Sequence, residues 1–228
     1  MTSLAARYQS VLDRISQSAQ SAQRDASDLT LVVITKNHPA SMVLELIELG
    51  ARDFGENRDQ EAAPKSADIA LANSTAINWH FVGQLQTNKV KSVLSYATAI
   101  HSLDRQSLLD SLAKNWFEKS EPLDVFVQLN LTDDPGRGGI EPNNLEAFAT
   151  NVLAHQNLNL MGVMGVAALD RAPEVDFETI RGASEKLQRL APSAKFMSMG
   201  MSGDFETAIA YGATHLRIGS EIMGNRVY

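Results

Sequence analysis

Cysteine is absent from this 228-residue chain, which removes disulfide frameworks, thiolate nucleophiles and cysteine-based zinc or iron–sulfur sites together. A reducing cytosol is the expected compartment. Positive charge is outweighed by negative: 20 Lys and Arg against 27 Asp and Glu give a formal net charge of −7, and no basic patch or aromatic–basic interleaving offsets it. Nucleic acid is therefore not an expected partner, and any anion must be held by a local set of donors. Long hydrophobic runs are missing as well. Residues 1–10 contain no apolar core of signal-peptide length, and no later stretch approaches a membrane span. The expectation is a soluble, cytoplasmic protein. No Pro/Gly/Ser-rich linker, composition shift or repeat divides the chain, so residues 1–228 read as one domain. The five histidines fall neither at metal-ligand spacing nor in a Ser-His-Asp order.

What is present is alternation. Hydrophobic residues make up 44% of the chain, enough for a sizeable core. Leu4, Tyr8, Val11, Leu12 and Ile15 recur at helical spacing and predict an opening helix. Apolar runs ending in polar or glycine residues follow at 29–35, 53–54, 78–82, 98–102, 123–130, 158–163, 195–198 and 214–217, making eight candidate strands. Helical patterns lie between them, clearest at Leu108, Leu109, Leu112 and Trp116 and at Leu145, Phe148 and Val152, with Pro142 suited to a first helical turn. The stretch 62–75, with Pro64 and little periodicity, reads as an exposed helix and loop. Strand-then-helix order implies a parallel sheet. Eight such units predict an α/β fold, a single (β/α)8 TIM barrel with an extra N-terminal helix.

Sites in such barrels sit at the C-terminal ends of the strands, with phosphate commonly bound after the seventh and eighth. The unusual residues of this chain fall there. Lys36 closes the first candidate strand, Gly55-Glu-Asn57 the second, Gly83-Gln84 follow the third, and His101, Ser102 and Asp104 follow the fourth. Asn130, Met164-Gly165, the Ser198–Ser202 turn and Arg217-Ile-Gly-Ser220 complete the rim. The last two segments are short strands opening into glycine and hydroxyl residues, a pattern that frees backbone N–H groups for a phosphate. Lys36 at the opposite end of the chain adds an amine, so the residues point to a phosphorylated aldehyde held covalently. His80 reads as a satisfied core histidine. His101, Asp104 and the methionines Met161, Met164, Met197, Met199 and Met201 read as rim structure and packing.

The ordered segments Thr35-Lys36, Phe54-Gly-Glu-Asn57, Trp79-His-Phe-Val-Gly-Gln-Leu-Gln-Thr-Asn-Lys89, His101-Ser-Leu-Asp104, Ser198-Met-Gly-Met-Ser202 and Arg217-Ile-Gly-Ser220 resemble the pyridoxal 5′-phosphate homeostasis protein family, itself similar to the N-terminal barrel domain of alanine racemase. The resemblance runs from the first strand to the C-terminus. It implies a fold-type III barrel for pyridoxal 5′-phosphate (PLP), lacking the C-terminal β-domain of the racemases. It further implies that Lys36 forms a Schiff base with PLP, that Ser202, Gly219 and Ser220 hold the phosphate, that Arg217 faces the pyridine nitrogen, and that Asn57 contacts the cofactor or the lysine. The chemistry agrees with these roles. An amine must lose its proton to attack an aldehyde, and partial burial favours that loss. A guanidinium offers only donors, so Arg217 would keep the ring nitrogen an unprotonated acceptor and weaken the ring as an electron sink.

The chain departs from the family pattern in three places. Gln84 stands where a histidine is frequent, Pro135-Gly-Arg-Gly-Gly139 stands where a lysine-bearing loop is usual, with Arg137 as a substitute charge, and Ser220 replaces a common threonine. The expected function is a non-catalytic, monomeric carrier that binds PLP reversibly and passes it to apo-enzymes. The alternative is a weak amino-acid racemase. Related racemases use an added β-domain bearing a tyrosine base, for which little chain follows Gly219, so the carrier is the expectation. A Schiff-base aldolase shares the lysine and phosphate logic but lacks support from the motifs. Lys89 and Lys91, after the third strand, are candidates for admitting the anionic cofactor, although each also reads as a solvated helix residue.

Overall fold

The computed structural model describes residues 2–117, 119–132 and 136–224. Among them, eight parallel strands close a barrel in sequence order: β1 Thr30–Ile34, β2 Asp53–Glu56, β3 Asn78–Phe81, β4 Ala99–Leu103, β5 Leu123–Gln128, β6 Leu158–Met164, β7 Phe196–Ser198 and β8 His215–Ile218. All eight expected strands are there, within a few residues of their expected ends. β8 pairs back onto β1 through Thr30–His215 to Val33–Ile218, so the last and first strands are neighbours at the rim.

The described helices are α1 Leu4–Ser21, α2 Ala40–Glu48, α3 Asp59–Ala72, α4 Val90–Val93, α5 Gln106–Asn115, α6 Leu145–Leu153, α7 Pro173–Leu190, α8 Phe205–Ala210 and α9 Ser220–Met223. The opening helix forms as its periodicity predicts. Leu4, Tyr8, Val11, Ile15 and Ala19 bury one face, and the Ser3 hydroxyl caps the N-terminus by accepting the Ala6 N–H at 3.2 Å. That face lies on α8 and α9. Arg14 joins one carboxylate from each, Glu206 and Glu221.

Three expectations need correcting. Trp116 is the C-cap of α5 and not part of it, its indole N–H donating to Glu121 O at 2.8 Å. Pro142 opens a 3₁₀ turn, Pro142–Asn144, and α6 begins only at Leu145. The stretch 62–75 is a helix and loop as expected, with 62–72 in α3 and 73–75 beyond it, but it is not exposed throughout, since α3 buries Ala62, Lys65, Ser66 and Ile69. These positions have helical spacing, but small and polar side chains occupy most of them, so hydrophobic periodicity is muted.

Side chains alternate across each strand, and this divides the buried residues into two regions. Facing the helices, Val33, Phe54, Trp79, Phe81, Ile100, Val127, Leu216 and Ile218 belong to one continuous apolar core. Val32, Ile34, Ala99, Phe126 and Met164 are buried apart from it, at alternate positions that face the barrel interior. Asp53, His80, His101, Ser198, His215 and Arg217 share that alternation. Barrel interiors usually hold layers of branched apolar residues, and this one is divided between apolar and polar side chains.

Candidate functional site

Lys36 lies in a turn that is held from several sides. Thr35 N–H donates to Gly55 O at 3.0 Å, and His38 N–H closes back onto Thr35 O at 3.2 Å. The Thr35 hydroxyl donates to Glu56 Oε1 at 2.7 Å, and Glu61 accepts the Asn37 N–H. Asn37 takes φ +62°, a left-handed conformation that asparagine tolerates better than most residues. Beneath the turn, the buried Lys65 ammonium binds Glu56 Oε1 at 2.6 Å, Glu61 Oε1 at 2.9 Å and Thr35 O at 2.9 Å. Burial pushes the Glu56 carboxyl above its usual range, against the pull of Lys65 and Thr35. The Lys36 side chain is half-buried and engaged by no described residue.

β7 and β8 bring their terminal turns to the same side of the rim. Gly200 has φ +90°, and a Cβ there would lie 2.7 Å from Ala208 Cβ, so both conformation and space require glycine. Arg217 N–H donates to Gly200 O at 2.9 Å, and Gly219 N–H reaches the Ser202 hydroxyl at 3.4 Å, tying the two turns together. Gly219 also sits against β1, where an added Cβ would lie 3.2 Å from Ile34 Cβ. The N–H groups of Ser202, Gly203 and Ser220 take no acceptor among the described residues. The helix after the first turn, α8, spans six residues, so its dipole adds little and the individual N–H and hydroxyl donors carry the anion-binding capacity. Asp204, its N-cap, accepts the Met201 N–H at 2.6 Å, and burial raises its carboxyl pKa.

Arg217 is buried in the interior below these turns. Its Nη1 donates to Ser198 Oγ at 2.7 Å and its Nη2 to Gly165 O at 2.8 Å. Burial lowers its pKa to about 10, partly opposed by Asp204, which leaves it charged at neutral pH. Ser198 Oγ lies 2.7 Å from His101 Nδ1, His101 Nε2 2.9 Å from His80 Nδ1, and His80 Nε2 3.0 Å from Asp53 Oδ1. His101 stacks on Phe126 with ring centroids 4.4 Å apart. Burial, reinforced by His80, His215 and Arg217, drives its pKa well below the ordinary histidine value; His215, also buried, is pushed down to about 4. Asp53 is held below the usual carboxylate range: burial opposes this, and hydrogen bonds from His80 and Asn78 prevail.

The six residues singled out from sequence thus divide. Lys36, Ser202, Gly219 and Ser220 share the rim where β7, β8 and β1 adjoin, with Arg217 buried beneath. Asn57, half-buried, directly follows β2 and lines a neighbouring cleft of about 530 Å³ with Gly83, Gln84 and Lys89. It does not cap α3, whose N-cap is Arg58. Lys89 lies 3.9 Å from Asp59. In the 135–139 loop, Pro135 lies outside the described residues, and Gly138 packs so close to Asp104 and Gln84 that a Cβ would come within 2.5 Å of Asp104 Oδ2. His101, read from sequence as rim structure, is instead a fully buried interior residue of β4. Sequence reading missed Lys65 and the histidine array; the polar residues at alternating strand positions, Asp53, His80, Ser198 and Arg217, were the available signal.

The family profile described as alanine racemase, N-terminal domain, matches residues 10–227. A pyridoxal phosphate homeostasis protein from Pseudomonas aeruginosa is 36% identical, the match covering 100% of this chain and 98% of that one. Another, from Escherichia coli, is 34% identical over 100% and 99%. Among solved structures, PipY of Synechococcus elongatus with PLP bound is 31% identical, with a TM-score of 0.81 over 92% of this chain and all of that one. Alanine racemase from Corynebacterium glutamicum shares the fold, with a TM-score of 0.69 at 14% identity over 95% of this chain and 62% of the racemase.

Proposed function

This chain belongs to the pyridoxal phosphate homeostasis protein family, and from that membership we propose that it binds PLP at the rim formed by β7, β8 and β1 and acts as a reversible carrier in intracellular PLP homeostasis. The observation that carries the proposal is the presence, at the ends of three adjoining strands, of an amine at Lys36 that no described residue engages and of hydroxyl and N–H donors at Ser202, Gly219 and Ser220. The donor set fits the cofactor. Lys36 supplies the amine that binds the aldehyde covalently, the paired turns supply neutral donors for the phosphate, and Arg217 supplies a donor-only partner for the ring nitrogen. Asn57, expected to contact the cofactor or the lysine, would do so from the neighbouring cleft that it lines after β2. When bound, PLP supplies a reactive aldehyde and an electron-withdrawing ring. A guanidinium there would keep the ring nitrogen an acceptor, which argues against efficient broad carbanion chemistry without excluding racemisation.

Racemisation needs a second proton-transfer group on the opposite face of the substrate. Of the tyrosines among the described residues, Tyr8 belongs to the outer apolar core, and Tyr96 and Tyr211 pack against it; Tyr228 lies outside the described residues. This placement favours the carrier over an amino-acid racemase. The same reading treats residues 1–228 as one cofactor-binding domain of a cytoplasmic monomer whose partners are PLP and apo-enzymes that require it. None of the described helices is long and apolar enough to cross a membrane. The test is titration with PLP followed by visible absorbance, with transfer to an apo-enzyme and amino-acid turnover measured in parallel. A saturable band lost in Lys36→Ala, with transfer and no turnover, is expected. Steady racemisation would replace the carrier by the enzyme, and no saturable band would remove the cofactor.

A further inference from the structure

Five of the polar residues inside the barrel, Arg217, Ser198, His101, His80 and Asp53, form a chain of hydrogen bonds with a definite direction, while His215 bonds the Thr214 hydroxyl instead. At one end stands a guanidinium, which only donates; at the other stands an ionised carboxylate, which only accepts. Arg217 Nη1 donates to Ser198 Oγ at 2.7 Å. The Ser198 hydroxyl keeps its own hydrogen to donate, and His101 Nδ1, 2.7 Å away, is placed to accept it. A neutral His101 that accepts at Nδ1 carries its proton on Nε2 and donates to His80 Nδ1 at 2.9 Å. His80 then carries its proton on Nε2 and donates to Asp53 Oδ1 at 3.0 Å. Every link is satisfied by one assignment.

The chain also crosses the molecule. Asp53 is the first residue of β2, His80 and His101 lie within β3 and β4, Ser198 ends β7 and Arg217 lies in β8. The link between His101 and Ser198 joins residues 97 apart in sequence. Burial above all holds His101 neutral, as the assignment requires.

We propose that Ser198, His101 and His80 are positioning residues for Arg217, forming a one-way hydrogen-bond relay from Arg217 to Asp53 that fixes the guanidinium beneath the PLP ring and polarises it toward the carboxylate at the far end of the barrel. The proposal rests on the reading that Arg217 faces the pyridine nitrogen. Chains of this kind strengthen each bond through the next, because a hydroxyl that gives up its hydrogen becomes a better acceptor. With Nη1 and Nη2 each spending a donor on Ser198 and Gly165, the guanidinium plane is set, and its remaining N–H groups are left for the ring.

Two measurements test the relay. The first uses the wild-type protein without cofactor: long-range ¹H–¹⁵N spectra of the imidazoles should show His101 neutral at pH 7, protonated at Nε2 and bare at Nδ1, and His80 carrying its hydrogen on the Nε2 that faces Asp53. An Nδ1–H tautomer or an imidazolium at His101 would overturn the assignment. The second uses added PLP. Ser198→Ala should weaken PLP binding about tenfold, the scale of one lost hydrogen bond to a charged group, and shift the absorption maximum of bound PLP. Ser198→Thr, which keeps the hydroxyl, should restore both. Asp53→Ala, at the half-buried far end, should give a smaller spectral shift in the same direction and mixed histidine tautomers, and it covers the case in which Ser198→Ala fails to fold. If borohydride still traps PLP on Lys36 while the soluble variants keep wild-type spectra and affinity, the relay is wrong and the cofactor site stands. If PLP does not attach to Lys36 in the wild type, the site reading fails and the relay's role toward the ring fails with it.

Discussion

Outside the sheet, Val33, Phe54, Phe81 and Ile218 meet the helices in a continuous apolar core; inside it, Val32, Ile34, Phe126 and Met164 share their space with Asp53, two relay histidines, Ser198 and Arg217. One strand feeds both regions, since Phe54 faces outward between Asp53 and Gly55. The outer region gains stability from area removed from water, about 25 cal/mol per Å² of apolar surface. The inner region gives up part of that gain. Its polar groups are stable there because almost every one is bonded, and their arrangement supports a charged arginine below the rim. Fold stability and site chemistry therefore occupy opposite faces of the same strands.

Changes on the two faces should consequently separate stability from binding. The largest effect is expected from the outer face: Phe54→Ala, at a fully buried site beside Trp79, should cost about 4 kcal/mol in urea unfolding, with PLP attachment to Lys36 intact in the folded fraction. Attachment lost along with stability would break the separation. Next is the polar exception on that face. Lys65→Met leaves Glu56 buried without its cation and should cost about 3 kcal/mol at neutral pH. The deficit should narrow on acidification as Glu56, already raised by burial, takes up a proton. A deficit independent of pH would contradict the pairing.

The inner face supplies a smaller, pH-dependent effect. The folded pKa of His215 is depressed from 6.5 to about 4, so the native state binds fewer protons than the unfolded chain below pH 6.5. Its stabilising contribution is complete above pH 6.5 and is lost as the pH falls toward 4. Between pH 6.5 and 5 that loss is about 2 kcal/mol from His215 alone, with His101 acting in the same direction. Denaturant titrations at the two pH values measure it, and His215→Phe should flatten the dependence. The smallest effect belongs to the surface. Arg14→Ala, which removes half-exposed pairs to Glu206 and Glu221, should cost less than about 1 kcal/mol and less still in high salt.

The outer face was also the more legible in sequence. Eight apolar runs located the strands because the helix-facing residues are hydrophobic whatever lies inside. Lys36, Ser202, Arg217, Gly219 and Ser220 drew attention because each lies at or just past the end of such a run, while the roles expected of them came from the family resemblance. The inner face was not. His80 and His101 occupy single positions in otherwise apolar strands, and their partners come from strands far away in the chain, so no local window contains the relay. α3 was misjudged for a related reason: its buried stripe includes Lys65 and Ser66, whose burial depends on Glu56 and Thr35 and not on their own hydrophobicity.

The central claim is that Lys36 holds PLP covalently on this rim. Borohydride reduction of the PLP-treated protein, followed by peptide mass mapping beside a Lys36→Ala control, tests it most directly. The account predicts one stoichiometric reduced adduct on the peptide containing Lys36 and none in the control. An adduct spread over surface lysines and unchanged by Lys36→Ala would contradict it.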